Sequence, residues 1–206
     1  ETLKLLFGKH HGEDELVWKI GKMIVQTIRD MCDEFTEEYG LNFTAYATPA
    51  EGLSGRFVAI DREKYGIIPG VTDKDYYTNS YHIPVGYNIS IIDKARLEAP
   101  FHEMANAGHI TYFELDKPPV DNLEIIERTI DYIVDNTNMG YFAFNFRERY
   151  CKDCGHNHIN LESKSCPKCN STNLQGVSRI TGYLSLDERF GGGKVAERED
   201  RVKHNF

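Results

Sequence analysis

The chain has 206 residues, 40% of them hydrophobic, which is enough for one domain with a real core and a small appended module. Its 32 acidic residues outnumber 24 basic ones for a formal net charge of -8, which argues against a nucleic-acid partner, since such binding depends on Lys and Arg neutralising phosphates. No run approaches the roughly 20 apolar residues that span a bilayer, and the N-terminus lacks a signal-peptide pattern, so the chain reads as cytoplasmic with no membrane partner. It begins at Glu1 rather than Met, in what resembles the middle of a helical region, and is expected to be a fragment.

Leu16, Val17, Ile20, Ile24, Ile28, Met31 and Phe35 recur at helical spacing and predict an amphipathic helix from Asp14 to Glu38, stopped by Gly40. In 41–48 the apolar Leu41, Phe43, Ala45 and Ala47 alternate with polar or aromatic neighbours, which predicts a strand ending at Pro49. The Gly-, Asp- and Pro-rich stretch 51–79 reads as a long loop with short structured pieces. Beyond it, HIPVGY predicts a strand, Asp93 to Ala107 a helix capped by Asp93, HITYFEL a strand, Asp121 to Asp135 a second capped helix, and GYFAFNF another strand. Strands alternating with helices imply α/β layering with parallel βαβ units. There are too few strands to close a barrel. The charged tail from Lys194 to His204 reads as a short surface helix.

After Tyr150 the composition shifts to Cys, Asn, Lys and Ser, as in a small metal-stapled module. Cys151 and Cys154 form one CxxC pair and Cys166 and Cys169 another, with eleven residues between the pairs. Two such turns present four thiolates to one tetrahedral ion and leave no open coordination position, so the spacing predicts a structural Zn²⁺ site. Disulfides, an iron–sulfur cluster or unliganded thiols are the alternatives. An odd, fifth Cys32 in the first long helix reads as a structural residue, and His156 and His158 as bystanders.

Arg179-Ile180-Thr181-Gly182-Tyr183 follows, and Gly182 lies 24 residues from the C-terminus. This resembles the arginine–aliphatic–x–glycine–aromatic signature of glycyl radical enzymes. A radical is chemically reasonable at a glycine Cα, where the flanking amide nitrogen and carbonyl share the electron and no side chain opposes planarity. Together with MCDEFTEEYGLNFTAYATPAEGLSGRF, IPGVTDKDYYTNSYHIPV, EAPFHEMANAGHITYFEL, the two CxxC pairs and the closing ERxDRVKH, the signature makes the whole chain similar to the C-terminal portion of anaerobic ribonucleoside-triphosphate reductases. Pyruvate formate-lyase shares the glycine signature without a cysteine ribbon.

The resemblance implies a partial ten-stranded α/β barrel over 1–149, a zinc ribbon over 150–178, and a glycyl radical loop with a C-terminal helix over 179–206. It implies that a radical at Gly182, made with S-adenosylmethionine by a separate activating enzyme, oxidises a cysteine outside this chain. That thiyl then starts reduction of a ribonucleoside triphosphate to the deoxyribonucleotide. The remainder of the reductase chain and a second copy, in a homodimer, are further implied partners. The turn YATPAEGLSGRF resembles the loop that holds substrate phosphates, with Thr48, Ala50, Glu51, Gly52, Leu53 and Ser54 as the lining and Arg56 as a charge partner. Asn79, Ser80 and His82 are candidates for hydrogen bonds to substrate, and Gly191 to Gly193 for a flexible joint. Two other functions are compatible with parts of the pattern: a stand-alone subunit that supplies a replacement glycyl radical, and a zinc-ribbon interaction module.

Overall fold

The computed structural model describes residues 1–204. Helix α1 (Thr2–Phe7) packs on α2 (Glu15–Tyr39), where a Cβ on Gly21 would stand 3.1 Å from the Leu3 side chain. Asp14 caps α2 by accepting the Leu16 and Val17 N–H groups, and Gly40, at φ 64, closes it in the left-handed conformation that glycine tolerates. The Trp18 indole N–H donates to the Leu97 carbonyl at 2.9 Å and docks α2 on α4 (Ile91–Met104).

The predicted loop 51–79 contains a further helix, α3 (Leu53–Tyr65). Its weak apolar periodicity and a glycine rather than a Ser or Asp at the cap concealed it. Helix α4 starts earlier than predicted: Ser90 is the cap, its hydroxyl accepting the Asp93 N–H and donating to the Asp93 carboxylate.

Strands β1 (Thr111–Glu114) and β2 (Phe142–Asn145) pair in parallel, Thr111 opposite Phe142, and are joined by α5 (Leu123–Asn136). This is the expected βαβ unit, and it packs on α4 through Phe113, Ile91, Ala95, Ala99, Leu115 and Ile133. The other two predicted strands are absent. Segment 41–48 keeps its alternation, Ala45 and Ala47 buried and Tyr46 exposed, but among the described residues makes only two ladder-like bonds, Ala47 N–H to Gly108 and Ala107 N–H to Ala45. Residues 82–87 cannot form a ladder because the Ile83 N–H goes to a side chain and Pro84 has none to give.

The second sheet is antiparallel, in the order β4 (Asn157–His158), β3 (Glu148–Cys151), β5 (Leu174–Arg179), β6 (Leu184–Leu186). A single 3-10 turn, Asp187–Arg189, leads to α6 (Gly192–Asp200). Helix α6 is not a surface helix: Lys194 is 1% exposed and Glu197 5%. Within the glycine run Gly193 is packed, so close to α3 that a Cβ there would meet Gly55 Cα at 2.9 Å.

Candidate functional site

Both CxxC pairs form the same turn. The Cys151 carbonyl accepts the Gly155 N–H and the Cys166 carbonyl accepts the Asn170 N–H, with Gly155 (φ 71) and Asn170 (φ 59) both left-handed. The turns face each other, so that Cys151 and Cys169 Sγ lie 3.6 Å apart, as do Cys154 and Cys166, and all four sulfurs fall within 4.8 Å of one another. A tetrahedral ion with Zn–S bonds of about 2.3 Å needs sulfur–sulfur edges of roughly 3.8 Å. The donor set therefore fits one metal ion held by four thiolates. Cys32 lies apart, half-buried in α2, and His156 and His158 stand outside the cluster.

Strand β3 ends at Cys151, which pairs with Leu174 of β5, and β5 runs on directly to Arg179. Arg179 pairs with Leu184, and the Ile180 N–H donates to the Tyr183 carbonyl, which closes a tight turn over Thr181 and Gly182. Gly182 thus occupies the exposed tip of a hairpin rooted beside the cysteine cluster. Arg201 holds the strand from beneath: its guanidinium donates to the carbonyls of Arg179 (2.9 Å) and Ile180 (3.2 Å) and to Glu197 (2.9 Å).

The hairpin tip forms one wall of a cavity of about 310 Å³. Asn79, Ser80 and His82 line it with Gly182, so these four predicted residues converge. Of the 48–54 turn, Glu51 reaches the hairpin, its two oxygens each accepting a hydroxyl at 3.0 Å, one from Thr181 and one from Tyr183. The Thr48 carbonyl accepts from Ser80 Oγ. Ala50, Gly52, Leu53 and Ser54 form the entry to α3 beside the cavity wall, where Ser54 Oγ is buried without a partner among the described residues. Arg56 points outward on α3.

The sequence reading missed the polar floor beneath the cavity, where His82, Lys94 and His109 line the space and Glu98, His102 and Thr111 stand behind them. Glu98, fully buried, accepts four hydrogen bonds: from the Ile83 N–H and Lys94 Nζ on one oxygen, and from His82 Nδ1 (3.1 Å) and the Thr111 hydroxyl on the other. Burial pushes its carboxyl up, but Lys94 and His82 outweigh this and hold it well below the usual carboxylate range. His102 donates to Thr111 Oγ1, and His109 stacks near-parallel on Tyr81 with neither ring nitrogen bonded among the described residues. Burial lowers His102 to about 4 and His109 to about 3. His82, Glu98 and His109 approach with metal-triad spacing. The four donors already on Glu98, the Lys94 ammonium at 2.8 Å among them, leave no lone pair for a cation. A Lys and a Glu one turn apart on the apolar stripe of Ile91, Ala95 and Ala99 were the available signal.

The family model described as "Anaerobic ribonucleoside-triphosphate reductase" matches residues 1–204. The protein of that name from Escherichia coli (strain K12) is 39% identical over 214 residues, covering 99% of this chain and 30% of the relative. That of Enterobacteria phage T4 is 38% identical over 193 residues, covering 90% of this chain and 31% of the relative. The chain thus spans about 30% of the length of the curated relatives it matches. Among solved structures, an anaerobic ribonucleotide reductase superposes with a TM-score of 0.76 at 24% identity, over 89% of this chain and 28% of that one. The Thermotoga maritima enzyme in complex with dATP and CTP gives a TM-score of 0.64 at 23% identity, over 86% of this chain and 27% of that one. These likenesses bear on the fold alone.

Proposed function

The chain belongs to the anaerobic ribonucleoside-triphosphate reductase family, and from that premise we propose that it carries the radical-storage glycine and part of the substrate site of such an enzyme. The observation that carries the reading is the placement of Gly182, at the tip of a hairpin that faces a cavity and is anchored from below by Arg201. A glycine is suited to hold an unpaired electron at Cα, and among the described residues nothing stands within 4 Å of where a Cβ would be. The tip has room to be approached by an activating enzyme that uses S-adenosylmethionine. The radical supplies the oxidising equivalent for hydrogen abstraction from ribose through a cysteine. That cysteine belongs to the part of the relatives' length this chain does not span, because four cysteines here face one another and Cys32 sits apart in α2.

The substrate is a ribonucleoside triphosphate. Its ribose sits against Asn79, Ser80 and His82, and its phosphates lie at Thr48, Ala50, Glu51, Gly52, Leu53 and Ser54. The first-turn amides of α3 have no intrahelical acceptors, and the unpartnered Ser54 hydroxyl lies among them. Residues 1–149 serve as the barrel portion, 150–178 as the ribbon and 179–206 as the radical loop with its helix. The ion in the ribbon is Zn²⁺, and its task is to anchor β3 and β5 below Gly182. The working enzyme is a cytoplasmic homodimer. Anaerobic incubation of the full-length reductase with its activating enzyme and S-adenosylmethionine tests the proposal. A glycine-type doublet in electron paramagnetic resonance, followed by backbone cleavage at Gly182 in air, is expected. Absence of either overturns it.

A further inference from the structure

The proposed function gives no task to Glu98, although it organises the cavity floor. A carboxylate buried among four donors is costly to desolvate and is retained where its partners must be held in one arrangement. Because it is ionised it can only accept, so the His82 Nδ1 beside it must carry a hydrogen. That fixes the ring: in neutral His82 the lone pair is on Nε2. Among the described residues Nε2 has no hydrogen-bond partner, and His82 lies in the wall of the Gly182 cavity, where ring contacts with His109 (5.0 Å between centroids) and Tyr112 (6.0 Å) limit its rotation. A carboxylate that fixes the tautomer and leaves the opposite nitrogen free is how proteins prepare a histidine for proton transfer.

We propose that His82 is a proton-transfer residue of the Gly182 cavity and Glu98 its positioning residue. The inference rests on the reading that a ribonucleotide occupies this cavity. At a ribose whose 3′ carbon has lost its hydrogen atom, Nε2 takes the proton of the 3′ hydroxyl and hands it to the neighbouring 2′ hydroxyl. The C2′–O bond breaks with its electron pair, water leaves, and the ring is neutral again. One proton enters and leaves His82, so the step draws on no outside oxidant or reductant. Lys94 neutralises Glu98 on its other oxygen, which keeps the carboxylate from taking the proton itself.

The test uses the full-length reductase, activated anaerobically. His82→Asn places an amide N–H where Nδ1 was, which preserves the bond to Glu98 and removes Nε2. It should keep the Gly182 doublet of the unsubstituted enzyme and lose turnover by roughly 100-fold or more, the scale of general acid–base catalysis. Turnover within a few-fold of the unsubstituted enzyme would overturn the proposal and show that His82 only packs. His82→Ala, with space for a small base, should regain turnover when imidazole is added. A folded, radical-bearing His82→Ala enzyme that imidazole leaves inactive would count equally against it. A missing doublet in the unsubstituted enzyme would instead refute the radical reading, so the two failures are distinguishable.

Discussion

Glu51 and Thr181, 130 positions apart in the chain, meet through a 3.0 Å hydrogen bond, and the second oxygen of Glu51 takes the Tyr183 hydroxyl. One carboxylate from the turn ahead of α3 therefore grips the residues on both sides of Gly182. Charge-assisted bonds of this kind contribute about 1.5–3 kcal/mol when buried and less when half-exposed, as here. Glu51→Ala should speed amide hydrogen exchange at 180–183 by about tenfold, the equivalent of about 1.4 kcal/mol. Glu51→Gln should lie between. Equal exchange in all three proteins would show that the contact does not hold the tip.

Arg201 is the matching hold from below. Arg201→Met deprives the carbonyls of Arg179 and Ile180 of their donor and leaves the buried Glu197 with one cationic partner, Lys194, in place of two. Losing one member of a buried ionic network costs about 3–5 kcal/mol, so thermal unfolding should move down markedly. Arg201→Lys should recover only part of this, because an ammonium cannot span two carbonyls and a carboxylate. Full recovery with Lys would sink the forked-donor account.

Two glycines give opposite expectations. Gly182→Ala meets nothing within 4 Å among the described residues and should melt within about 0.5 kcal/mol of the parent while forming no radical. Gly193→Ala drives a methyl into Gly55 Cα and the Asp75 carbonyl and should destabilise by about 1–3 kcal/mol. Calorimetry of both proteins checks the pair.

Metal removal should act on the hairpin at a distance. Cys169→Ser, or a strong chelator, should release about one zinc per chain and raise hydrogen exchange along 174–186, because β5 is paired with the strand that ends at Cys151. Metal analysis that finds iron would overturn the assignment of zinc.

Acid should destabilise the cavity floor in two stages. His102, lowered to about 4, and His109, lowered to about 3, stay neutral in the folded protein below pH 6.5, whereas the unfolded chain takes up protons there. The unfolded state binds more protons, so stability falls as pH drops from about 6.5 toward 4. Glu98 has a depressed folded value, so its contribution is present above its unfolded range near 4.5 and is lost as pH falls further. Denaturant titrations across pH 7 to 4 should show the first stage weakened in His109→Phe.

Sequence alone determined the features whose physics is local. Cysteine spacing fixed the four-thiol cluster, since a CxxC turn brings its two sulfurs together whatever surrounds it. The caps Asp14 and Gly40 with an apolar stripe fixed α2, and β-type runs around a helical one fixed the β1–α5–β2 unit. Tertiary structure decided the rest, because those outcomes depend on groups far apart in the chain. Segments 41–48 and 82–87 carry strand-like or apolar patterns, yet Asn106 and Glu98 take N–H groups a ladder would need. Lys194 and Glu197 look like surface charges until Asn79 and Arg201 close around Glu197. The polar floor under Gly182 belongs to the same class: a Glu, a Lys and three His residues are unremarkable in sequence, and only packing of α4 against β1 removes their water and makes each answer to the others.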